Sequence, residues 1–79
     1  MINHVVLMGK AVGKYKVPHM NINAAEVEID GEEFIIHFPE NLWDQLPIDE
    51  SLVGIAGHLY HINGYIRVMA DKLTILKGE

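Results

Sequence analysis

The sequence contains no cysteine among its 79 residues. A disulfide framework and a thiolate metal site are therefore both excluded. No apolar run approaches the roughly 18 residues that a membrane-spanning helix needs, and the N-terminus lacks the charged and apolar regions of a signal peptide. We expect one domain over residues 1–79 that is soluble, cytoplasmic and without membrane contact.

Basic residues are scarce and unevenly placed. Six lysines and arginines stand against eleven acids, which gives a formal net charge of −5. Residues 1–20 carry three lysines and no acid, whereas residues 21–50 carry nine acids and neither lysine nor arginine. A polyanion could meet basic side chains only on elements from the two ends of the chain. The alternative is a solvated acidic surface with a few lysines for solubility.

Motifs for catalysis and metal binding are also missing. Ser51 and Thr74 are the only small hydroxyl residues, and neither stands in a nucleophile motif. His58 and His61 are three residues apart, which places them on opposite faces of a strand. The chain has no glycine-rich phosphate loop of the P-loop type. We therefore expect no enzymatic activity, no metal and no cofactor.

Two long apolar runs, Leu52–Ile62 and Tyr65–Leu76, are the clearest feature that is present. The Asn-Gly pair between them is typical of a type I′ hairpin turn, because both central residues of that turn need positive φ. Strands of about eleven residues reach about 35 Å and fit a small domain only if they bend. Gly54 and Gly57 permit a bend or a close backbone contact. The hairpin therefore predicts a closed barrel.

The rest of the chain predicts three more strands and one helix. An apolar run predicts a first strand over Ile2–Gly13. Lys14–Asn23 is expected to form a loop or a ragged extension of that strand, because Pro18 interrupts any ladder there. Alternating apolar and acidic residues predict a strand over Ala24–Asp30, and an Asp-Gly turn leads into a return strand over Glu33–Phe38. Apolar residues at helical spacing predict a short helix over Pro39–Leu46. This order is that of the five-stranded OB-fold, an all-β Greek-key barrel with one short helix between strands three and four.

Four segments of the chain also carry a resemblance to a known family. They are the opening INHVVLMGKAVG, similar to I-N-x-V-x-L-x-G-x-L; the helix PENLWDQL; the strand LVGIAGHL, similar to V-x-I-x-G-x-L; and the final MADKLTIL, similar to VADxVxFL. In this order they resemble the bacterial single-stranded DNA-binding (SSB) proteins. The resemblance implies a non-enzymatic protein of DNA replication or repair that binds single-stranded DNA or RNA. It also implies a homodimer or homotetramer that could meet replication or mobile-element proteins.

Candidate binding residues occur in two places. Tyr15 lies between two lysines, and such a group suits single-stranded nucleic acid because phosphate needs charge and a base needs a π-face. The outward face of the fourth strand faces aromatic and basic residues across the Asn-Gly turn. The predicted nucleic-acid-binding residues are Lys10, Lys14, Tyr15, Lys16, His58, Tyr60, Tyr65 and Arg67. With so few cations we expect weak, steeply salt-sensitive affinity.

The first strand has a second face of interest. Alternation places His4, Val6 and Met8 on the side opposite Val5 and Leu7. An exposed apolar face is usually explained by a partner, and a core of this size is marginal by itself. The resemblance implies association through this strand, so His4, Val6 and Met8 are the predicted oligomer interface.

The chain departs from the SSB family where that family contacts DNA. His58, Tyr60 and His61 stand where the family has an arginine-rich strand, and the second hairpin is short and acidic. The linker and acidic tip that recruit partner proteins have no counterpart, so we expect a small variant without the acidic C-terminal tail. These departures favour an alternative: an OB-fold protein-interaction and oligomerisation module that has lost DNA binding.

Overall fold

Five strands and one helix make up the part of the chain, residues 2–77, that the computed structural model describes. They are β1 (Val5–Val17), β2 (Ile22–Ile29), β3 (Glu32–Phe38), α1 (Glu40–Gln45), β4 (Leu52–Ile62) and β5 (Tyr65–Lys77). The strands form a closed barrel in the order β1-β2-β3-β5-β4, and β4 pairs with β1. Only β3 and β5 run parallel among the pairs of this described region. The architecture is the OB-fold that the sequence predicts.

Both predicted hairpin turns are confirmed by their backbone angles. Asp30 and Gly31 have φ values of 51° and 83°, and Asn63 and Gly64 have values of 48° and 80°. Positive φ at both central positions is the requirement of a type I′ turn. The two turns therefore fix the β2–β3 and β4–β5 hairpins from local sequence alone.

Both alternatives for Lys14–Asn23 occur, because its first residues extend the first strand and the residues after Val17 form the turn. β1 continues to Val17 and pairs with β2, which already begins at Ile22. The strand can run this far because its two halves have different partners. Residues 5–10 pair with β4 and residues 10–17 with β2, with a register shift between Ala11 and Gly13. Pro18 does end the ladder, as predicted, because it has no N–H to donate.

The core is a small apolar cluster inside the barrel, closed at one end by α1. Leu42 and Trp43 on the helix pack against this cluster, and Leu46, just past the helix, belongs to it. The Trp43 indole also donates a hydrogen bond to the carbonyl oxygen of Ala24 at 2.9 Å. Through these contacts Trp43 helps to close this end of the barrel. The buried members are Ala11, Ala25, Val27, Ile36, Phe38, Leu46, Val53, Ile55 and Ala70.

The helix is short, with six residues. It starts after Pro39, whose φ of −66° suits the residue that precedes a helix, and its first turn carries the acidic Glu40. No helix within residues 2–77 has the length and apolar character needed to cross a membrane.

Gly57 allows the two long strands to come close together. A Cβ atom at this position would overlap the carbonyl oxygen of Met69 on β5. Gly54 differs, because its added Cβ would meet only the flexible side chain of Leu76, at 3.4 Å. Of these two glycines, only Gly57 is required by backbone contact.

Gly57→Ala should lower the free energy of unfolding by about 2 kcal/mol or more, because overlap with a backbone oxygen is relieved only by moving a strand. Gly54→Ala is the matched control and should change it by less than about 0.5 kcal/mol. Urea unfolding followed by circular dichroism measures both. Equal losses in the two variants would contradict this account of Gly57.

Candidate nucleic-acid interface

A groove of about 210 Å³ lies on the outer side of the barrel between the β1–β2 and β4–β5 hairpins. One wall carries Tyr15 and the other carries Tyr65. Arg67 supplies its guanidinium and His37 its imidazole. The remaining lining residues are Val17, Met20, Ile22, Ile35, Ile62 and Asn63. The groove thus combines an apolar floor with two aromatic walls.

Tyr65 and Arg67 form the most accessible part of the groove. The Tyr65 side chain is 62% exposed, and the guanidinium carbon of Arg67 lies 5.1 Å from the centre of its ring. A guanidinium beside an aromatic face is held by a cation–π interaction. Such a pair offers a π-surface and a positive charge at the same point, which is what a nucleotide needs.

His37 is a groove residue that the sequence interpretation missed. It is 6% exposed, and its Nδ1 makes a short hydrogen bond with the Tyr60 hydroxyl. Burial lowers the pKa of His37, and the positive charge of Arg67 lowers it further. Burial also raises the pKa of the Tyr60 hydroxyl. The imidazole is therefore neutral at neutral pH and positions Tyr60 rather than supplying charge.

Tyr60 faces Arg67 directly across the β4–β5 ladder, as predicted. His58 instead faces Met69, and its Nδ1 lies 2.9 Å from a carboxylate oxygen of Asp71. The register shift between Ala56 and Gly57 leaves Asp71 without a partner in β4. Because an acid already neighbours His58, this imidazole is poorly placed to attract phosphate.

The two lysines that flank Tyr15 lie on the other side of β1, next to α1. The Lys14 ammonium donates hydrogen bonds to the carbonyl oxygens of Trp43, at 2.7 Å, and Leu46, at 3.2 Å. The Lys16 ammonium lies 5.4 Å from the centre of the Trp43 ring. Alternation along a strand separates neighbouring side chains in this way. Tyr15 therefore faces the groove while its neighbouring lysines do not.

The ammonium groups of Lys14 and Lys16 already have partners within the protein. Lys14 holds the last carbonyl groups of the helix, an arrangement that satisfies their unpaired lone pairs. Lys16 lies 3.7 Å from a carboxylate oxygen of Glu40, with both side chains largely exposed. Lys10 is paired in register with Glu28. Of the predicted basic residues, only Arg67 lines the groove.

The predicted oligomer face lies elsewhere on the barrel. Val6 and Met8 point outward from β1 and are 70% and 58% exposed, while Leu7 packs against the core. They adjoin the outer surfaces of Gly54, Ala56 and Leu76 in a shallow apolar depression; the other residues that line it are Leu7, Ile55, Lys72 and Thr74. His4 is exposed and precedes β1. The alternation predicted for the first strand is confirmed.

The lowered pKa of His37 predicts a pH-dependent stability. As the pH falls below 6.5, the unfolded chain takes up a proton that the folded imidazole resists, so the free energy of unfolding decreases. Well above pH 6.5 the imidazole is neutral in both the folded and the unfolded chain, so His37 contributes no slope there. His37→Asn should make the loss between pH 6.5 and 5 less steep, whereas His61→Gln, at an exposed position, should leave it as in the wild type. Urea unfolding at a series of pH values measures the slope, and identical slopes in wild type and His37→Asn would refute the prediction.

Comparisons with known proteins bear on the fold. No protein-family model and no curated protein matches the sequence. Solved structures do match, and one is described as the structure and conformational change of a replication protein A heterotrimer bound to ssDNA. That match has a TM-score of 0.69 at 8% sequence identity, and it covers 95% of this chain and 58% of the other. The chain thus spans 58% of that protein chain and shares its barrel fold. Membership of the SSB family stays a prediction.

Proposed function

We propose that this protein binds single-stranded nucleic acid, without catalysing a reaction, in the groove between the β1–β2 and β4–β5 hairpins. The observation that carries the proposal is the position of Tyr15 and Tyr65 on opposite walls of the groove, with the guanidinium of Arg67 beside the Tyr65 ring. Oligonucleotides bind to OB-folds across this sheet face and against these two loops. The SSB-like pattern of the sequence and the fold shared with a chain described as bound to ssDNA support the same function.

Stacking would supply most of the affinity. Each base on an aromatic ring contributes about 1–3 kcal/mol, and stacking tolerates any base sequence. Charge contributes less to the affinity, because Arg67 is the one predicted basic residue that lines the groove. Lys16 lies outside the groove, near α1. The acids of the β2–β3 hairpin repel phosphate on the neighbouring surface. We therefore propose a weak binder of short single-stranded segments.

The salt dependence follows from the same count of cations. For single strands, the slope of log K against log salt is about −0.7 for each phosphate neutralised. One or two cations thus give a slope of about −0.7 to −1.4. This is shallower than the steep dependence expected from all the lysines in the sequence, because Lys14 is bonded to carbonyl groups at the helix end and Lys10 lies outside the groove, opposite Glu28 in the β1–β2 ladder.

Labelled oligo(dT) titrated at low salt tests the proposal by fluorescence anisotropy. Tyr65→Leu keeps an apolar side chain but removes the ring, and it should weaken binding roughly tenfold, within the range of one lost stack. Arg67→Gln should weaken binding and flatten the salt slope by about 0.7.

Lys72→Gln is the matched control for Arg67→Gln, because it removes one positive charge from an exposed site outside the groove. It should leave the affinity nearly unchanged. Equal effects of the two substitutions would mean that the groove is not the binding site. No binding of oligo(dT) or oligo(U) at high micromolar protein would overturn the proposed function and favour the interaction-module alternative.

We also propose that the barrel self-associates through the outer face of β1, which includes His4, Val6 and Met8. The support is the exposure of two large apolar side chains beside the apolar depression on β4 and β5. Covering such a face removes apolar surface from water at about 25 cal/mol for each Å². The face lies away from the groove residues, so association leaves the groove open.

A charge placed on this face should dissociate the oligomer. Val6→Glu combined with Met8→Glu should shift the protein to the monomer mass in sedimentation velocity, because each carboxylate would have to be desolvated in the interface. Val12→Glu combined with Ile48→Glu is the matched control: it adds the same two charges at exposed apolar positions outside this face and should leave the mass unchanged. A wild-type protein that is monomeric at high micromolar concentration would contradict this proposal.

A further inference from the structure

The barrel is closed between β3 and β5 over a very short distance. Within the described residues, these strands pair only at Ile36 with Val68 and at His37 with Met69. β3 pairs with β2 along its whole length, so Glu32–Ile35 have a strand neighbour on one side only. Tyr65–Arg67 likewise pair with β4 alone. Two unpaired strand edges thus face each other across a gap, and such edges accept another strand.

A cavity of about 490 Å³ opens into this gap at the barrel end opposite α1. Its lining is mostly apolar, and Ile66 at its mouth is 57% exposed. Small-ligand and side-chain pockets of this size are usually apolar with a few polar groups. The lining residues are Val5, Leu7, Ile29, Glu33, Phe34, Ile35, Ile36, Leu59, Ile66, Arg67 and Val68.

The surface beside the gap is strongly acidic. The β2–β3 hairpin carries neither lysine nor arginine, and its five acids are Glu26, Glu28, Asp30, Glu32 and Glu33. The carboxyl groups of Glu26 and Glu33 are close enough to share a hydrogen bond, which raises the pKa of Glu33. An approaching cation would relieve the repulsion between two such carboxylates. The hairpin therefore favours a positively charged occupant.

These features together define the occupant. We propose that the gap between β3 and β5 binds an extended segment of a partner polypeptide, in which apolar residues alternate with lysine or arginine, by strand addition to the free edge of β3. In an added strand, side chains alternate between the two faces of the sheet. One set would enter the apolar cavity, and the other would point outward beside Glu26 and Glu33. Backbone hydrogen bonds to the unpaired edge would supply affinity.

A second copy of this chain fits the gap poorly. Pairing of two β3 edges would bring Glu32 and Glu33 of one copy beside the same residues of the other, and like charges placed opposite each other destabilise a sheet. A nucleic acid would meet the same acids with its phosphates. A basic, extended peptide is the occupant whose charge and shape match the site.

Three labelled hexapeptides titrated against the full chain test this inference. The first alternates valine and lysine; the second has the same composition with three valines followed by three lysines; the third alternates valine and glutamate. Only the first should bind saturably, because only it places apolar and cationic side chains on opposite faces. Equal binding of the first two peptides would reveal simple charge attraction and overturn the inference.

Strand addition has its own signature in the backbone. Amide protons at the free edge of β3, within Glu32–Ile35, should become protected from exchange when the alternating peptide binds. Alternate backbone amides of the peptide would point toward β3, and the others away from it. Methylating the amides that point toward β3 should abolish binding, whereas methylating the others should leave it unchanged. If neither methylated peptide binds more weakly than the unmodified one, strand addition is overturned. Protection without peptide that grows with protein concentration would identify a second copy as the occupant and overturn the inference too.

The charge requirement has a matched control. Glu26→Gln combined with Glu33→Gln should weaken peptide binding at least tenfold, whereas Asp44→Asn with Glu50→Gln, the same charge change at exposed sites elsewhere, should not. Oligo(dT) binding measured on the same proteins separates the two sites. If the peptide fails while oligo(dT) binds, this inference alone is overturned; if the peptide binds while oligo(dT) fails, the inference stands without the proposed function.

Discussion

The barrel depends on one short parallel contact between β3 and β5. At this contact Ile36 and Val68 turn inward and help to complete the core, while His37 and Met69 turn outward. No local turn can make this contact, because parallel strands need a long crossover connection, which here includes α1 and β4. Its brevity has a structural consequence: the strands close the core at one level and diverge beyond it. The apolar cavity and the unpaired edges lie where they diverge.

β1 has a second organising role because it belongs to both halves of the barrel. Its first half pairs with β4 and its second half with β2, and Gly9 lies where a side chain would strike the backbone of β2. The bend between the halves directs Tyr15 to the groove and Lys14 to the carbonyl groups of the helix. The basic segment around Tyr15 suggests a phosphate contact in the sequence, but its Lys14 instead stabilises the end of the helix.

The electrostatics of the barrel distinguish its surfaces. The groove holds one guanidinium and a neutral imidazole among aromatic and apolar residues, so it offers stacking more than charge. The β2–β3 hairpin offers carboxylates beside an apolar cavity. The outer face of β1 is apolar with little charge. Three surfaces of different chemistry on one small barrel are compatible with three different contacts, although Arg67 lines both the groove and the apolar cavity.

The sequence by itself determined the elements that local chemistry controls. The Asn63-Gly64 and Asp30-Gly31 turns, the acidic alternation of β2 and the helix after Pro39 all follow from backbone preference and periodicity, and together they gave the OB-fold order. Only the tertiary structure decided which distant residues meet. In the sequence, His37 is an ordinary strand residue and Lys14 is a free cation. In the structure, the β3–β5 contact brings His37 to Tyr60, and Lys14 binds the carbonyl groups at the end of the helix. The physical reason is that pairing between strands far apart in the chain is selected by how the whole core packs, and no short segment encodes that choice.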